Sequence, residues 1–325
     1  MPMKMTIILL LACAMLNFSP TIHALETDQF YTWGKPIEDS TEYLNAWVQL
    51  RIQSVLDTRV ADSPMDCEAV VKKVQASLQN SLYHPMDLWI SSSKLVDRIP
   101  RGLEESREYR ARYLMTKLYR LDTARLLEPS ATVEVNNIRI GADKLAHFFS
   151  QGWWYYKKWK KNRDDYTQDE LQRFLVEYGI NLELGALGAK LTGVTSPGDL
   201  EANYQGFLFY RQLCHGDEPL LYRQEGRWQF PDTFDFRDYV SPGWDESWNP
   251  NIYHKRRWKK IRPAMLTYCP LLHSPWVKQQ RKFYRELETQ TLTAQIVKEW
   301  VADGKLPDPQ TFAITTVCQD GQNQN

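Results

Sequence analysis

The stretch Ile138 to Tyr210 decides how this chain is read. It contains Ile140-Gly141-Ala142-Asp143-Lys144-Leu145-Ala146-His147-Phe148-Phe149, then Glu177 and Glu183, then Ser196-Pro197-Gly198-Asp199-Leu200-Glu201-Ala202-Asn203-Tyr204-Gln205-Gly206. Ionisable side chains alternate there with apolar and small ones on what read as three packed helices. Charged groups avoid apolar helix faces unless they are paired or used. The pattern therefore predicts a polar cluster between helices, and function is sought there first.

The first of these helices runs from Asp143 to about Trp159. Asp143, His147 and Gln151 fall at i, i+4 and i+8, on one face. A carboxylate one turn before a histidine can fix its tautomer and raise its basicity, as a general base requires. The second helix spans Thr167 to Leu191 and opens with the capping box Thr167-x-x-Glu170. It carries Glu177 and Glu183 among Gly179, Gly185, Ala186, Gly188 and Ala189. Glycines weaken a helix by roughly 1 kcal/mol each, so their number points to a closely packed neighbouring backbone. The third helix opens at Ser196, with Pro197 at its first position. Asp199, Asn203, Gly206 and Tyr210 repeat along one of its faces. Each residue also has a simpler reading. Asp199 can close a capping box, Asp143 can serve the helix dipole, and a lone histidine is commonly structural. Together they make Asp143, His147, Glu183 and Asp199 the catalytic candidates, and Lys144, Gln151, Glu177, Asn203 and Tyr210 the ligand-binding candidates.

The Asp143-Lys144-x-x-His147-Phe148 helix, the acid on the next helix and Ser196-x-x-Asp199-Leu200-x-x-Asn203-x-x-Gly206 resemble the VanZ-like pattern. Small exported YfiM-type lipoproteins share its first part. The resemblance covers residues 138–210, under a quarter of the chain. It marks Asp143, Lys144, His147, Glu183, Asp199 and Asn203, and it implies a role at the cell envelope, where some members are linked to glycopeptide resistance. Two features depart from it. VanZ-like proteins are integral membrane proteins, whereas these helices carry Lys and Arg runs. The glutamine expected shortly after the family's Glu is absent after Glu183, which leaves Glu177 a competitor.

Outward from this core, the opening MPMKMTIILLLACAMLNFSPTIHALETD reads as a signal peptide cleaved after Ala24. Leu10-Leu11-Ala12-Cys13 offers a lipobox as the less favoured alternative. No later apolar run is long enough to span a bilayer. Without Cys13, four widely spaced cysteines remain: Cys67, Cys214, Cys269 and Cys318. In an exported chain they suggest two disulfides in one of three pairings. A metal site built from these four is disfavoured, because no C-x-x-C spacing occurs. Forty Lys and Arg balance forty Asp and Glu, which argues against general nucleic-acid binding.

Amphipathic helices are expected over Ser40–Asp57, Asp66–Tyr83 and Glu104–Leu127. A hairpin should turn at Asn136-Asn137, because asparagine tolerates the left-handed conformation, and a second at Glu225-Gly226. Trp244 to Asn251 reads as an aromatic, polar loop, Pro275 to Ala302 as one long helix, and the Gln/Asn-rich end as a frayed tail. Two basic aromatic runs, Trp153 to Lys161 and His254 to Arg262, suit an anionic lipid surface or a phosphorylated glycan, although lysines also favour a helix C-terminus. His215, His254 and His273 show no metal-ligand spacing. Asp143, His147 and Glu183 could offer three ligands, but the sequence calls for no metal and no cofactor. No G-x-S-x-G, Walker, H-E-x-x-H or G-x-G-x-x-G motif is present.

The expectation is a mainly helical, bundle-like single domain with small hairpins, stabilised by disulfides. It comprises a signal peptide (1–24), an N-terminal helical region (25–130), the central polar three-helix core (131–215) and a loop-rich C-terminal region ending in a helix (216–325). The expected role is that of a periplasmic or cell-surface protein binding a lipid- or glycan-derived ligand, with peripheral contact to an anionic membrane. The alternatives are an envelope hydrolase using His147 as general base oriented by Asp143, and a polar core that serves packing only.

Overall fold

The computed structural model describes residues 27–60, 64–79, 84–112, 130–185, 188–190, 192–231 and 234–322. The expected signal peptide, Cys13 and the C-terminal half of the helix expected over 104–127 lie outside these residues. Among the described residues the fold is mainly helical, 63% by content, with 12 α-helices and only small antiparallel strand pairs.

The N-terminal helices are α1 (Thr41–Val55), α2 (Cys67–Leu78), α3 (Pro85–Ser92) and α4 (Gly102–Arg112). A π-helical turn, Leu56–Val60, extends α1. The strands β1 (Thr132–Val135) and β2 (Ile138–Gly141) form the first hairpin. Asn136 and Asn137 hold φ of 53° and 61° at its turn, the left-handed pair that a tight hairpin requires. The central helices are α5 (Ala142–Asn162), α6 (Gln168–Leu184) and α7 (Pro197–His215). Helix α6 starts at the Thr167/Glu170 capping box and ends at Gly185, short of the expected Leu191.

The strand β3 (Val194–Thr195) pairs with β6 (Ile252–Tyr253), and β4 (Tyr222–Gln224) pairs with β5 (Arg227–Gln229) around Glu225 and Gly226. The C-terminal helices are α8 (Lys255–Leu266), α9 (Cys269–Leu272), α10 (Pro275–Leu287), α11 (Leu292–Ala302) and α12 (Ile314–Gln322). The single helix expected from Pro275 to Ala302 is therefore two. Thr291 starts the second by accepting a hydrogen bond from the Ala294 N–H, a cap that favours a new helix over continuation of the old one. The expected frayed tail is helical from the disulfide-bonded Cys318 to Gln322, and its last residues, 323–325, lie outside the described ones.

Helix α5 packs most extensively against α7. Both glycines at the crossing are needed for that approach. A Cβ on Gly152 would fall 2.6 Å from the Gly206 carbonyl carbon, and one on Gly206 would overlap the Phe148 carbonyl oxygen. Phe148 centres an aromatic core with Phe149, Phe209, Phe236, Tyr239 and Trp244, at centroid separations of 5.0–6.0 Å. A second, smaller core joins Phe30 and Trp33 to Met265, Tyr268, Val277, Ile314 and Val317. Disulfides join Cys67 to Cys214 and Cys269 to Cys318. Such bonds indicate a non-reducing environment. Among the described residues no helix is long and apolar enough to cross a membrane.

Candidate functional site

Helix α5 begins at Ala142, so Asp143 and Lys144 occupy its first turn. A side chain on Gly141 would meet the Asp143 carboxylate and Thr27 Oγ1; glycine there lets Thr27 close over the helix start. Thr27 Oγ1 donates to Asp143 Oδ1 at 2.6 Å. Helix α7 begins at Pro197, and Ser196 Oγ accepts from the Asp199 N–H at 3.1 Å. Ser196 caps the helix, but Asp199 does not close the capping box that one sequence reading allowed: its carboxylate turns toward α5, and the Ser196 backbone N–H goes to Glu183 instead.

Lys144 is the centre of the arrangement. Its side chain is fully buried, and Nζ lies 2.7 Å from Asp143 Oδ2, 2.6 Å from Asp199 Oδ1 and 2.5 Å from Glu246 Oε1. Gly198 makes room for it, since a Cβ there would sit 3.2 Å from Lys144 Cε. His147 lies at the rim with 15% of its side chain exposed. Nε2 is 3.3 Å from Asp199 Oδ2 and Nδ1 is 3.0 Å from Asn203 Oδ1. Asn203 can turn either end of its amide toward the ring, so it serves imidazole and imidazolium alike.

Glu183 is buried, and the Ser196 backbone N–H donates to its carboxylate. Gly188 folds the chain after α6 against it; a Cβ there would lie 2.6 Å from Glu183 Oε2. Burial, with Asp199 beside it, pushes the Glu183 carboxyl well above the usual carboxylate range. Burial also pushes Glu246 up to about 7, even against the pull of Lys144. Burial would raise Asp199 too, but His147 and Lys144 outweigh it and hold Asp199 below its ordinary value. The cluster thus sets carboxyl groups with raised and lowered pKa side by side, the arrangement from which acid–base pairs are built.

The structure brings together Asp143, Lys144, His147, Glu183, Asp199 and Asn203. It corrects one expected contact. Asp143 does not orient His147; it turns to Thr27 and Lys144, while Asp199 and Asn203 hold the imidazole. Three other candidates stand apart. Glu177 is half-exposed, its carboxylate 4.0 Å from Arg173. Gln151 is buried and accepts from Ser150 Oγ. Tyr210 donates to the Phe149 carbonyl at 3.0 Å, tying α7 to α5.

Sequence reasoning missed Glu246, which reaches the cluster from a loop 102 residues beyond Lys144. Ser241 caps the short turn Pro242–Trp244, Trp244 is driven into the aromatic core, and Asn249 Nδ2 closes the loop on the Gly243 carbonyl. Glu246 follows the buried Trp244-Asp245 pair inward. Ser196 Oγ donates to it at 3.2 Å, and its backbone N–H donates to Gln29. Neighbouring Asp245 accepts from Tyr284 at 2.9 Å, which fixes the loop to α10. An acid pair beside Trp in a Pro-Gly-Trp turn was the available signal.

Among the described residues, two trios could offer ligands to a metal ion: His147, Glu183 and Asp199, and Asp143, Asp199 and Glu246. Lys144 Nζ already fills the second. The first is the metal-competent geometry, with mixed nitrogen and oxygen donors suited to a borderline transition-metal ion.

The basic aromatic runs divide into inner and outer halves. Tyr155 and Tyr156 are buried and Trp153 and Trp159 half-buried, while Lys160 pairs with Glu68 at 2.6 Å. In α8, Trp258 stacks on Tyr253 at 5.5 Å, leaving Lys255, Arg256 and Lys259 exposed. Trp153, Tyr155, Tyr156, Trp159 and Trp258 pack on the core.

No family model, no curated protein and no solved structure matches the chain. The VanZ-like resemblance therefore rests on the motif residues alone.

Proposed function

We propose that this is an exported envelope protein, acting in the periplasm or at the cell surface, that binds a lipid- or glycan-derived ligand at the His147 rim of the central cluster. The observation supporting the reading is the asymmetry of that cluster. Lys144 and its carboxylates are sealed, while His147, joined to them through Asp199, keeps 15% of its side chain exposed. Burying an ammonium among carboxylates is a poor route to stability compared with apolar packing, so a network ending at the surface suggests use there. Its outermost contact is also its longest: the 3.3 Å His147–Asp199 pair against 2.5–2.7 Å around Lys144. A ligand hydroxyl, the group that lipid and glycan derivatives share, could join that contact as donor or acceptor. The disulfides agree with export.

The test is His147→Gln, which keeps reach and hydrogen bonding but cannot take up a proton near neutral pH. The variant should melt close to the wild type and fail to complement a deletion strain. Native mass spectrometry of protein taken from its own envelope should then show a co-purifying lipid or glycan on the wild type only. Full complementation by His147→Gln would remove the rim from function, and unfolding of the variant would support the packing-only reading.

A second reading has its own support. The Asp199 carboxylate backs the imidazole, and Glu183, whose carboxyl burial pushes well above the usual range, lies beside it, as hydrolysis with His147 as general base would use. In that case Asp199 is the orienting acid, and His147→Gln keeps the ligand but loses turnover.

A further inference from the structure

In a protein of zero net charge, the chain between Ser247 and Arg285 holds ten Lys and Arg and no Asp or Glu. Three of these cations, Lys278, Arg281 and Arg285, fall at i, i+3 and i+7 on α10 and share one face. They line a cleft of about 400 Å³ between α10 and α12, with His273 at one end and Gln319 on the opposite wall. Among the described residues no carboxylate lines it. Lys278, Arg285 and His273 have no ion-pair partner among the described residues, whereas Lys282, off this stripe, lies 3.8 Å from Glu286.

Arg281 is fixed in place. Its Nη1 donates to the Ser247 carbonyl at 3.3 Å, and its guanidinium lies 4.8 Å from the centre of the Trp248 ring. Burial lowers its affinity for a proton, Asp245 offsets this only in part, and Arg285 adds like-charge repulsion, which a bound anion would relieve. The Cys269–Cys318 disulfide clamps the wall that faces it, with Cys318 lining the cleft. Two guanidinium groups, an ammonium, an imidazole and an amide converge here. They offer more donors than the two oxygens of a carboxylate can accept, and they match the oxygens of a phosphate.

We propose that this cleft binds a phosphate-bearing group, taken either as a free phosphate compound or as the headgroup of an anionic lipid. The site is separate from the central cluster and stands whether or not His147 binds a ligand. The disulfide-intact full chain should be titrated calorimetrically with inorganic phosphate and pyrophosphate, and floated with phosphatidylglycerol and phosphatidylcholine vesicles. Lys278→Gln with Arg285→Gln removes two exposed cleft charges that hold no other residue. Lys255→Gln with Lys259→Gln removes two exposed charges on α8, outside the cleft, as the control.

Loss of two charge-assisted contacts should weaken pyrophosphate binding by about a hundredfold, with the control pair little changed. Pyrophosphate binding without flotation identifies a free ligand. Flotation on phosphatidylglycerol alone, reversed by pyrophosphate and lost with the cleft variant, identifies a headgroup. Absence of both kinds of binding in the wild type, or equal losses in the two double variants, would overturn the proposal.

Discussion

Glu201 lies on α7 facing the start of α11, buried, with Thr291 Oγ1 donating to its carboxylate. Burial pushes it up to about 7. The folded state therefore keeps a proton that the unfolded chain releases near its ordinary value of 4.5. Stability contributed this way is full below that value and falls as pH rises toward 7. Glu246, also at about 7, acts in the same direction. Glu201→Gln keeps the shape and the Thr291 contact without the charge. It should raise stability near pH 8 by about 1–3 kcal/mol and change little near pH 4.5; an equal increment at both pH values in thermal melts would refute the assignment. Lys144 poses the converse case. Lys144→Met leaves Asp143, Asp199 and Glu246 facing one another without a cation, which should cost about 3–5 kcal/mol at neutral pH in denaturant titrations. Because Glu246 protonates near neutrality and Glu183 above the usual range, part of that loss should return near pH 5.

At the scale of elements, the helices that hold the site were legible because local rules fix them. The Thr167/Glu170 box and Ser196-Pro197 are explicit starts, and the Asp199, Asn203, Gly206 face is periodic. What local rules do not encode is direction across space. Spacing places Asp143 and His147 one turn apart, but Thr27 and Lys144 take the aspartate first. Glu246 was out of reach because it sits in an aperiodic loop whose partner is far away in sequence. The Pro275–Ala302 pattern looked continuous because both halves are amphipathic; only Thr291, an inconspicuous cap, marks the break. Helices α3 and α8 went unread, the first for its shortness and the second for its density of charge. The small residues of the central segment were read as a sign of close backbone approach, and the tightest instance is Gly152 against Gly206. Gly206→Ala forces its methyl into the Phe148 carbonyl, so α5 and α7 must separate. The expected penalty is about 1–3 kcal/mol, with loss of near-ultraviolet signal from the surrounding aromatic residues. A native melting temperature for Gly206→Ala would show that the crossing is looser than drawn.

Across the whole molecule, the two disulfides divide the work between the two cores. Cys67–Cys214 ties α2 to the end of α7 at the rim of the main aromatic core, and Cys269–Cys318 ties α9 to α12 over the smaller one. Four cysteines spread along a chain permit three pairings, and nothing local chooses among them; the choice follows only once α7 has packed on α2 and α12 on α8 and α9. The bonds span 147 and 49 residues. In the chain-entropy view, closing loops of those lengths stabilises by about 5 and about 4 kcal/mol, measured values being commonly lower. Cys67→Ser with Cys214→Ser should therefore lower global stability more than Cys269→Ser with Cys318→Ser. The local consequences should be reversed. The second bond clamps the α12 wall of the cationic cleft through Cys318, so its loss should speed amide exchange in α9 and α12 while α5 and α7 stay protected, because Phe148 and the Lys144 network hold that region without it. Hydrogen exchange on both double variants separates the two effects. Uniform loss of protection in the Cys269/Cys318 variant would mean that the smaller core and the main one unfold as a single unit, and that α12 supports the central site as well as the cleft.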